Sequence, residues 1–437
     1  MSTGIVLYLF VKHFMYIICK VLLHITLYNI LLSLLTSMII QCGYPGRVRF
    51  FAHCGPAPFF FGKAFMKQVD IIEEFLELVQ LEVYPFKERL MADALKPRLE
   101  ELGCLVAEDD TGSKINGDAG SLIARLPGDP SRPPVMFAAH MDRVENHGRI
   151  RPVIEGDLIK SDGSSILAAD DVSGICAILD GLRRVKAEGS AHGEIEIVMT
   201  VGEETGFYGA RYLDYTQIKS KNCFVLDAAG PVGLINNECP AYYNISIKVH
   251  GRASHAGACP EEGLSAIVVA ARLLTGVPSG RLSPLSTSNF GVIKGGAAVN
   301  IVPDYCEIEA EARTRRPEEM EEYIARFKET AARIEAETGG RIELDFDLHC
   351  PAFKVEEHEE VIQIALAACG ELGIEPRLFS SGGNNDCNIF NQHGLKSVGI
   401  SPGMEKAHTN EEEISIARLR QAGELVAELI RQAGRPR

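Results

Sequence analysis

The chain has 437 residues, with 59 Asp and Glu against 44 Lys and Arg, for a net charge of -15. That balance excludes a nucleic-acid binder, which needs clustered basic residues to displace counterions from phosphates, and the length exceeds one ordinary core, so two domains are expected. The 12 Cys show no C-x-x-C pair and no regular spacing, so they read as reduced, packed thiols of a cytoplasmic protein and not as a disulfide framework.

Residues 1–65 contain no Asp or Glu, and residues 21–42 form an apolar run long enough to span a bilayer. Lys12, Lys20 and the lack of a small-residue cleavage site argue against a removable signal peptide. A mis-assigned start or dispensable extension is preferred over a membrane anchor, because Met66 opens an amphipathic helix with Val69, Ile72, Leu76 and Val79 on one face. A membrane is a partner only if this segment is a true anchor.

From there residues 88–102 read as a second helix closed by Gly103. Strands are expected over 121–126, 135–139, 194–201 and 222–226, with a helix over 172–186. Strands alternating with helices predict an α/β fold, a mostly parallel sheet with helices on both faces. Residues 242–250, 263–274, 288–294, 304–312, 317–338 and 341–348 follow the order β-α-β-β-α-β of a ferredoxin-like α+β unit. The tail returns to the first rhythm, with a strand over 397–400 and a closing helix from Ile416. The expected organisation is an extension over 1–65, a catalytic domain split into 66–240 and 353–437, and an inserted lid over 241–352.

Chemistry concentrates where apolar strands give way to turns, the place where open α/β sheets carry their sites. His140 and Asp142 are two apart at a strand end and share a face. Asp170-Asp171 precedes a helix, where one Asp serves as a cap and leaves Asp170 spare to bridge cations. Glu203-Glu204 follows an apolar run, and in extended chain the two side chains point opposite ways, one toward a metal and one toward its water. Asp227 ends a strand facing a crevice, where a carboxylate is costly unless paired, and His408 lies in a polar loop. Taken singly, each has a plain structural reading; gathered on one sheet edge, they point to metal-assisted hydrolysis. Mixed imidazole and carboxylate donors suit two zinc ions, with cobalt or manganese also accommodated. Cys387, near these residues, reads as packing because no base stands beside it.

The runs His140-Met141-Asp142, Leu167-Ala168-Ala169-Asp170-Asp171, Gly202-Glu203-Glu204-Thr205-Gly206, Ser254-His255-Ala256-Gly257, 295–303 (GGAAVNIVP) and Ala407-His408-Thr409 resemble the peptidase T-like branch of the co-catalytic zinc exopeptidases. That family also contains carboxypeptidase G and acetylornithine deacetylase. The resemblance runs in order from Met66 to the C-terminus. It implies that His140 and Asp227 hold one zinc, Glu204 and His408 the other, and Asp170 bridges them. It further implies that Asp142 orients His140 and that Glu203 is the general base. His255 is similar to a lid histidine that stabilises the tetrahedral intermediate, often from a partner subunit, and Asn300 and Arg313 to residues that bind the substrate. Arg143 where Thr is common, Ala168 where Gly is common, Ala228-Ala229 after Asp227, and the loop Ser381-Gly382-Gly383-Asn384-Asn385-Asp386 depart from the pattern and bear on substrate choice.

The expected protein is a cytoplasmic di-zinc aminopeptidase of tripeptidase type, dimeric through its lid, acting on short peptides. An N-acyl amino acid deacylase or carboxypeptidase-type amidohydrolase on the same fold is the nearest alternative, and a non-catalytic metal- or peptide-binding protein the more distant one.

Overall fold

Six consecutive buried residues in the strand Val135–His140 (β3) set the architecture. Side chains alternate between the two faces of a strand, so complete burial requires cover on both sides of the sheet. The computed structural model describes residues 69–144 and 149–435. In chain order the strands that precede the insertion are β1 (Leu105–Glu108), β2 (Leu122–Leu126), β3, β4 (Pro152–Glu155), β5 (Leu158–Ser161), β6 (Ile195–Thr200), β7 (Asn222–Val225) and β8 (Leu234–Cys239). The insertion carries β9 (Ala241–His250), β10 (Ser254–His255), β11 (Gly280–Ser283), β12 (Ser286–Gly295), β13 (Ile301–Val302), β14 (Tyr305–Thr314) and β15 (Arg341–Cys350). After it come β16 (Phe353–Lys354), β17 (Arg377–Ser380), β18 (Lys396–Ile400), β19 (Met404–Glu405) and β20 (Glu413–Ser415).

The main sheet runs β1-β2-β6-β3-β7-β18-β8-β16, with β17 also on β8. Its centre, β6-β3-β7-β18, is parallel, while β1, β2 and β16 join antiparallel and β8 meets β18 antiparallel. The parallel strands thus lie at the centre of the sheet, where both faces are covered, and the antiparallel ones at its margins. A smaller sheet, β19-β20-β5-β4, stands beside it.

The helix Ala169–Glu188 packs on β3, and the closing helix Ile416–Ala433 packs on that helix. Gly174 lets the helix Ala169–Glu188 approach the end of β7 closely, since a β-carbon there would stand 2.6 Å from the Leu226 carbonyl oxygen and 2.3 Å from Asp171 Oδ1. The helix Arg89–Leu102 ends at Gly103 in the left-handed conformation, φ 99°, as its sequence predicts.

Residues 66–68 of the helix expected from Met66 lie outside the described residues. Its described part is Ile71–Leu78, capped by Asp70, whose side chain accepts from the Ile72 N–H. Its buried residues are Ile71, Ile72, Glu74, Phe75 and Leu78; of the expected face Ile72 and Val79 are buried and Leu76 is half-buried, while Val69 precedes the helix and is exposed. The apolar run over 21–42 also lies outside the described residues. Among the described residues no helix is long and apolar enough to cross a membrane.

The insertion forms a five-stranded antiparallel sheet, β11-β12-β14-β9-β15, with the helices Ala266–Gly276 and Pro317–Thr338 packed on it. It has its own core of Ile245, Ile247, Val249, Leu273, Ile308 and Phe327, separate from that of the main sheet. The β-α-β-β-α-β order is present, with the short β11 added at one margin. The chain leaves for this unit through Pro240 and returns through Pro351-Ala352, and Cys239 and Phe353 are paired neighbours in the main sheet.

Gly174→Ala tests the close approach of helix to sheet. Forcing a methyl group against backbone should lower unfolding free energy by about 2 kcal/mol, measured by urea denaturation.

Candidate metal centre

His140 closes β3, and its imidazole is buried. Nδ1 donates to the Asp142 carbonyl oxygen at 2.9 Å, so the neutral ring carries its lone pair on Nε2. That nitrogen faces Asp170 Oδ1 at 3.0 Å. Two lone pairs cannot face each other at that distance without a proton or a cation between them.

Asp170 and Asp171 lie at the head of the helix Ala169–Glu188, where the backbone departs from helical angles and their shared peptide bond is cis. Asp171 Oδ1 accepts from the Gly174 N–H, three residues on, at 3.2 Å, and Oδ2 from the His140 N–H at 3.2 Å. Asp171 is therefore the cap. Asp170 points one oxygen to His140 and the other, Oδ2, to His408 Nε2 at 3.1 Å. His408 Nε2 is also 3.1 Å from Glu204 Oε1. Its backbone is left-handed, φ 65°, a conformation His tolerates better than most residues.

Two groups of possible ligand atoms result, His140, Asp170 and Asp227, and Asp170, Glu204 and His408, each with all atoms within 4.8 Å of one another. Asp170 is common to both. The electrostatics of this edge call for positive charge. Burial pushes the Asp227 carboxyl well above its ordinary range, and Asp170 pushes it further. Burial likewise raises Glu203 and Glu204. His408 is raised to about 10 by its hydrogen bonds to Asp170 and Glu204. Burial opposes charge on His140 and Asp170, but their mutual hydrogen bond, with those from Asp142 and His408, outweighs it, raising His140 and lowering Asp170.

Two expectations change in detail. Glu203 and Glu204 start a single helical turn, Glu203–Gly206, instead of lying in extended chain. Asp142 uses its carboxylate to accept from the Glu203 and Glu204 N–H groups, both at 3.1 Å. Its carboxylate is 3.5 Å from His140 Nδ1, and its backbone carbonyl is the closer partner. Arg143, a departure from the family pattern, is buried, donates from Nε to the Val83 carbonyl oxygen at 3.0 Å and lies 5.1 Å from the centre of the Tyr84 ring. Cys387 is fully buried beside Ser397, a packing role.

The lid residues are divided. Arg313, at the far end of β14, pairs with Glu311 at 3.0 Å and reaches the Gly382 carbonyl oxygen of the main domain at 3.3 Å. His255 and Asn300 sit together at the opposite end, where His255 pairs with Ile301 and the Ala256 N–H donates to the Asn300 carbonyl oxygen. From Tyr305 to Arg313 the strand covers roughly 25 Å, so one chain does not bring His255 and Asn300 to Arg313.

Glu412 is the main residue sequence reading missed. It is buried and accepts from the N–H groups of Leu167, Ala168 and Asp170 at 2.8, 2.7 and 2.9 Å. One carboxylate thus fixes the loop that presents Asp170. In the run Glu411-Glu412-Glu413 it looks like part of a solvated acidic surface.

An α/β sheet carrying paired acidic and imidazole groups around a shared Asp, with an inserted α+β lid, defines the co-catalytic metallo-exopeptidases. Residues 242–338 match the family described as Peptidase dimerisation domain, and residues 121–235 match Peptidase family M28. The uncharacterized protein YqjE of Bacillus subtilis is 36% identical over 365 residues, covering 84% of this chain and 98% of its own. The crystal structure of aminopeptidase PepT from Bacillus cereus is 35% identical with a TM-score of 0.78, and that of a tripeptidase from Staphylococcus aureus 32% identical with a TM-score of 0.80. Each covers 84% of this chain and 98% of its own. The chain belongs to the peptidase T-like branch of the M20 metallopeptidases.

Glu412→Ala removes acceptors from three buried N–H groups. It should cost about 3 kcal/mol or more and reduce retained metal after dialysis, read by calorimetry and by elemental analysis.

Proposed function

We propose that this protein is a two-metal aminopeptidase that removes the N-terminal residue from short peptides, tripeptides foremost. The observation that carries the reading is the shared carboxylate of Asp170, one oxygen toward His140 and the other toward His408. Similarity to an aminopeptidase and a tripeptidase along nearly their whole length favours peptides over acylated amino acids. His140, Asp227, Glu204 and His408 would hold two divalent cations with Asp170 between them, and the facing lone pairs of His140 and Asp170 fit such a role. Zinc suits the donor set best. Bound there, the cations supply Lewis acidity to the scissile carbonyl and to the attacking water.

Glu203 is the general base. Its carboxylate makes no hydrogen bond among the described residues, is nearly buried at 6% exposure, and is raised by burial, so it can take a proton from water and return it to the leaving amine. Asp142 holds the turn that carries Glu203 and Glu204. Arg313 supplies a planar guanidinium for a peptide carboxylate or carbonyl. His255 Nδ1 accepts from the N–H groups of Gly257 and Ala258 at 3.2 and 3.1 Å, so its neutral ring carries the proton on Nε2 and can donate to an oxyanion.

His255 and Asn300 reach a centre only from a second copy, and the lid has a surface for one. Among the described residues, β12 beyond Ser288 pairs on one side only, with β14. Val292, Ile293, Ile267 and Val268 are exposed there, at 41, 55, 40 and 54%. An open strand edge with apolar neighbours suits association with its own copy. A cytoplasmic location is supported by nine free cysteines among the described residues.

Glu203→Gln in zinc-loaded protein should keep both metals and lose activity roughly 100-fold or more, read by elemental analysis and tripeptide hydrolysis. Matched free and N-acetylated tripeptides decide the class: chelator-sensitive cleavage of the free peptides alone supports an aminopeptidase, and cleavage of the acetylated ones moves the function to a deacylase. Ile293→Glu should yield a monomer by light scattering, with activity reduced as far as His255→Ala reduces it in the dimer.

A further inference from the structure

Both crossings between the main domain and the lid occur at a proline, Pro240 on the way out and Pro351 on the way back. Proline has no N–H, so at these points the backbone can be tied only through its carbonyl oxygen. One side chain ties both. Asn388 Nδ2 donates to the Pro240 carbonyl oxygen at 3.2 Å and to that of Pro351 at 2.9 Å, and Asn388 is fully buried. Asn384 Nδ2 adds a second bond to Pro240 at 2.6 Å.

The same segment reaches the metal-binding edge. Asn388 Oδ1 accepts from the Asn385 N–H at 3.2 Å, and Asn385 Nδ2 donates to the backbone carbonyl oxygen of Asp227 at 3.1 Å. Asp386 accepts from Thr200 Oγ at 2.6 Å, and Thr200 is in register with His140 across β6 and β3. Five consecutive residues therefore hold the two lid crossings on one side and the backbone of Asp227 and the strand beside His140 on the other.

We propose that Asn388 is a positioning residue: its amide fixes both lid crossings to the segment that fixes Asp227, so the angle of the lid and the placement of Asp227 are set together. Its kinetic consequence rests on the peptidase reading above. The lid carries Arg313, and, through a second copy, His255. A tilt at the crossings displaces groups that act on the reacting carbonyl, and displacements of an ångström are costly to turnover.

Asn388→Asp keeps the shape and the acceptor for the Asn385 N–H but turns a carboxylate oxygen toward two carbonyl oxygens. The test uses full-length, zinc-loaded protein. Hydrogen exchange should quicken over 239–242 and 350–353 while β3 and β6 keep their protection, and kcat on a tripeptide should fall roughly 10- to 100-fold with KM changed little. Asn388→Ser, able to donate to one crossing, should lie between that variant and the wild type, and it carries the test should Asn388→Asp not fold. Unchanged exchange at both crossings, or wild-type kcat and KM in folded variant, overturns the proposal. A wild-type protein without peptidase activity counts against the function proposed above, and the exchange measurement then decides the role of Asn388.

Discussion

Burial of carboxylates at one sheet edge is the constraint on which the rest depends. Asp142, Asp170, Asp171, Glu203 and Asp386 are all buried, with Glu204 and Asp227 partly so, and His140 and His408 are the two imidazoles that face them. Such a concentration of negative charge is unfavourable unless each oxygen is hydrogen-bonded, protonated or bound to a cation. The fold divides the group accordingly. Both oxygens of Asp142 and of Asp171 accept from backbone N–H groups, Asp386 accepts from Thr200 through one oxygen and leaves the other buried and unpaired, and Asp170, Asp227 and Glu204 converge on shared space.

That division explains why so much of the surrounding structure consists of turns with unusual backbone angles. Ala168, Gly202, Phe207 and His408 all have positive φ, and each flanks or is one of the residues of the edge. Carboxylates hold two of these turns: Glu412 gathers three N–H groups of the loop that contains Ala168, and Asp142 two of the turn that follows Gly202. Acidic residues thus play two roles side by side, one set binding backbone and the other left available to cations.

Much of this was legible in the sequence, because periodicity reports burial directly. The helix over 317–338 and the strands around His140 and Thr200 appear within a residue or two of their expected bounds. The acidic doublets were visible because they recur with His140 and Asp227 at the ends of successive apolar runs, a grouping that their separate structural readings do not explain. Less visible were residues whose importance depends on a distant backbone group. Glu412 bonds to residues more than 240 positions earlier, and Asn388 to Pro240; neither spacing nor composition distinguishes them from surface Glu and Asn. The helix Ile71–Leu78 buries Phe75 and Leu78 beside the expected Ile72 because it begins after the cap at Asp70, a boundary that the apolar count from Met66 does not convey. The division of the lid residues between the ends of β14 likewise follows from strand length, which a motif list does not convey.

The place of β18 in the main sheet bears on the order in which the molecule can be made. This strand, which follows the insertion in sequence, sits between β7 and β8, both of which precede it, and His408 and Glu412 come after it. The inserted unit is contiguous from 241 to 350 and can fold as it leaves the ribosome, whereas the sheet around it stays open until residue 400 has emerged. Nascent chains and C-terminally truncated products therefore lack the assembled acidic edge. Strands from both sides of the insertion are thus interleaved in one sheet, and the acidic edge draws on segments as far apart as His140 and His408.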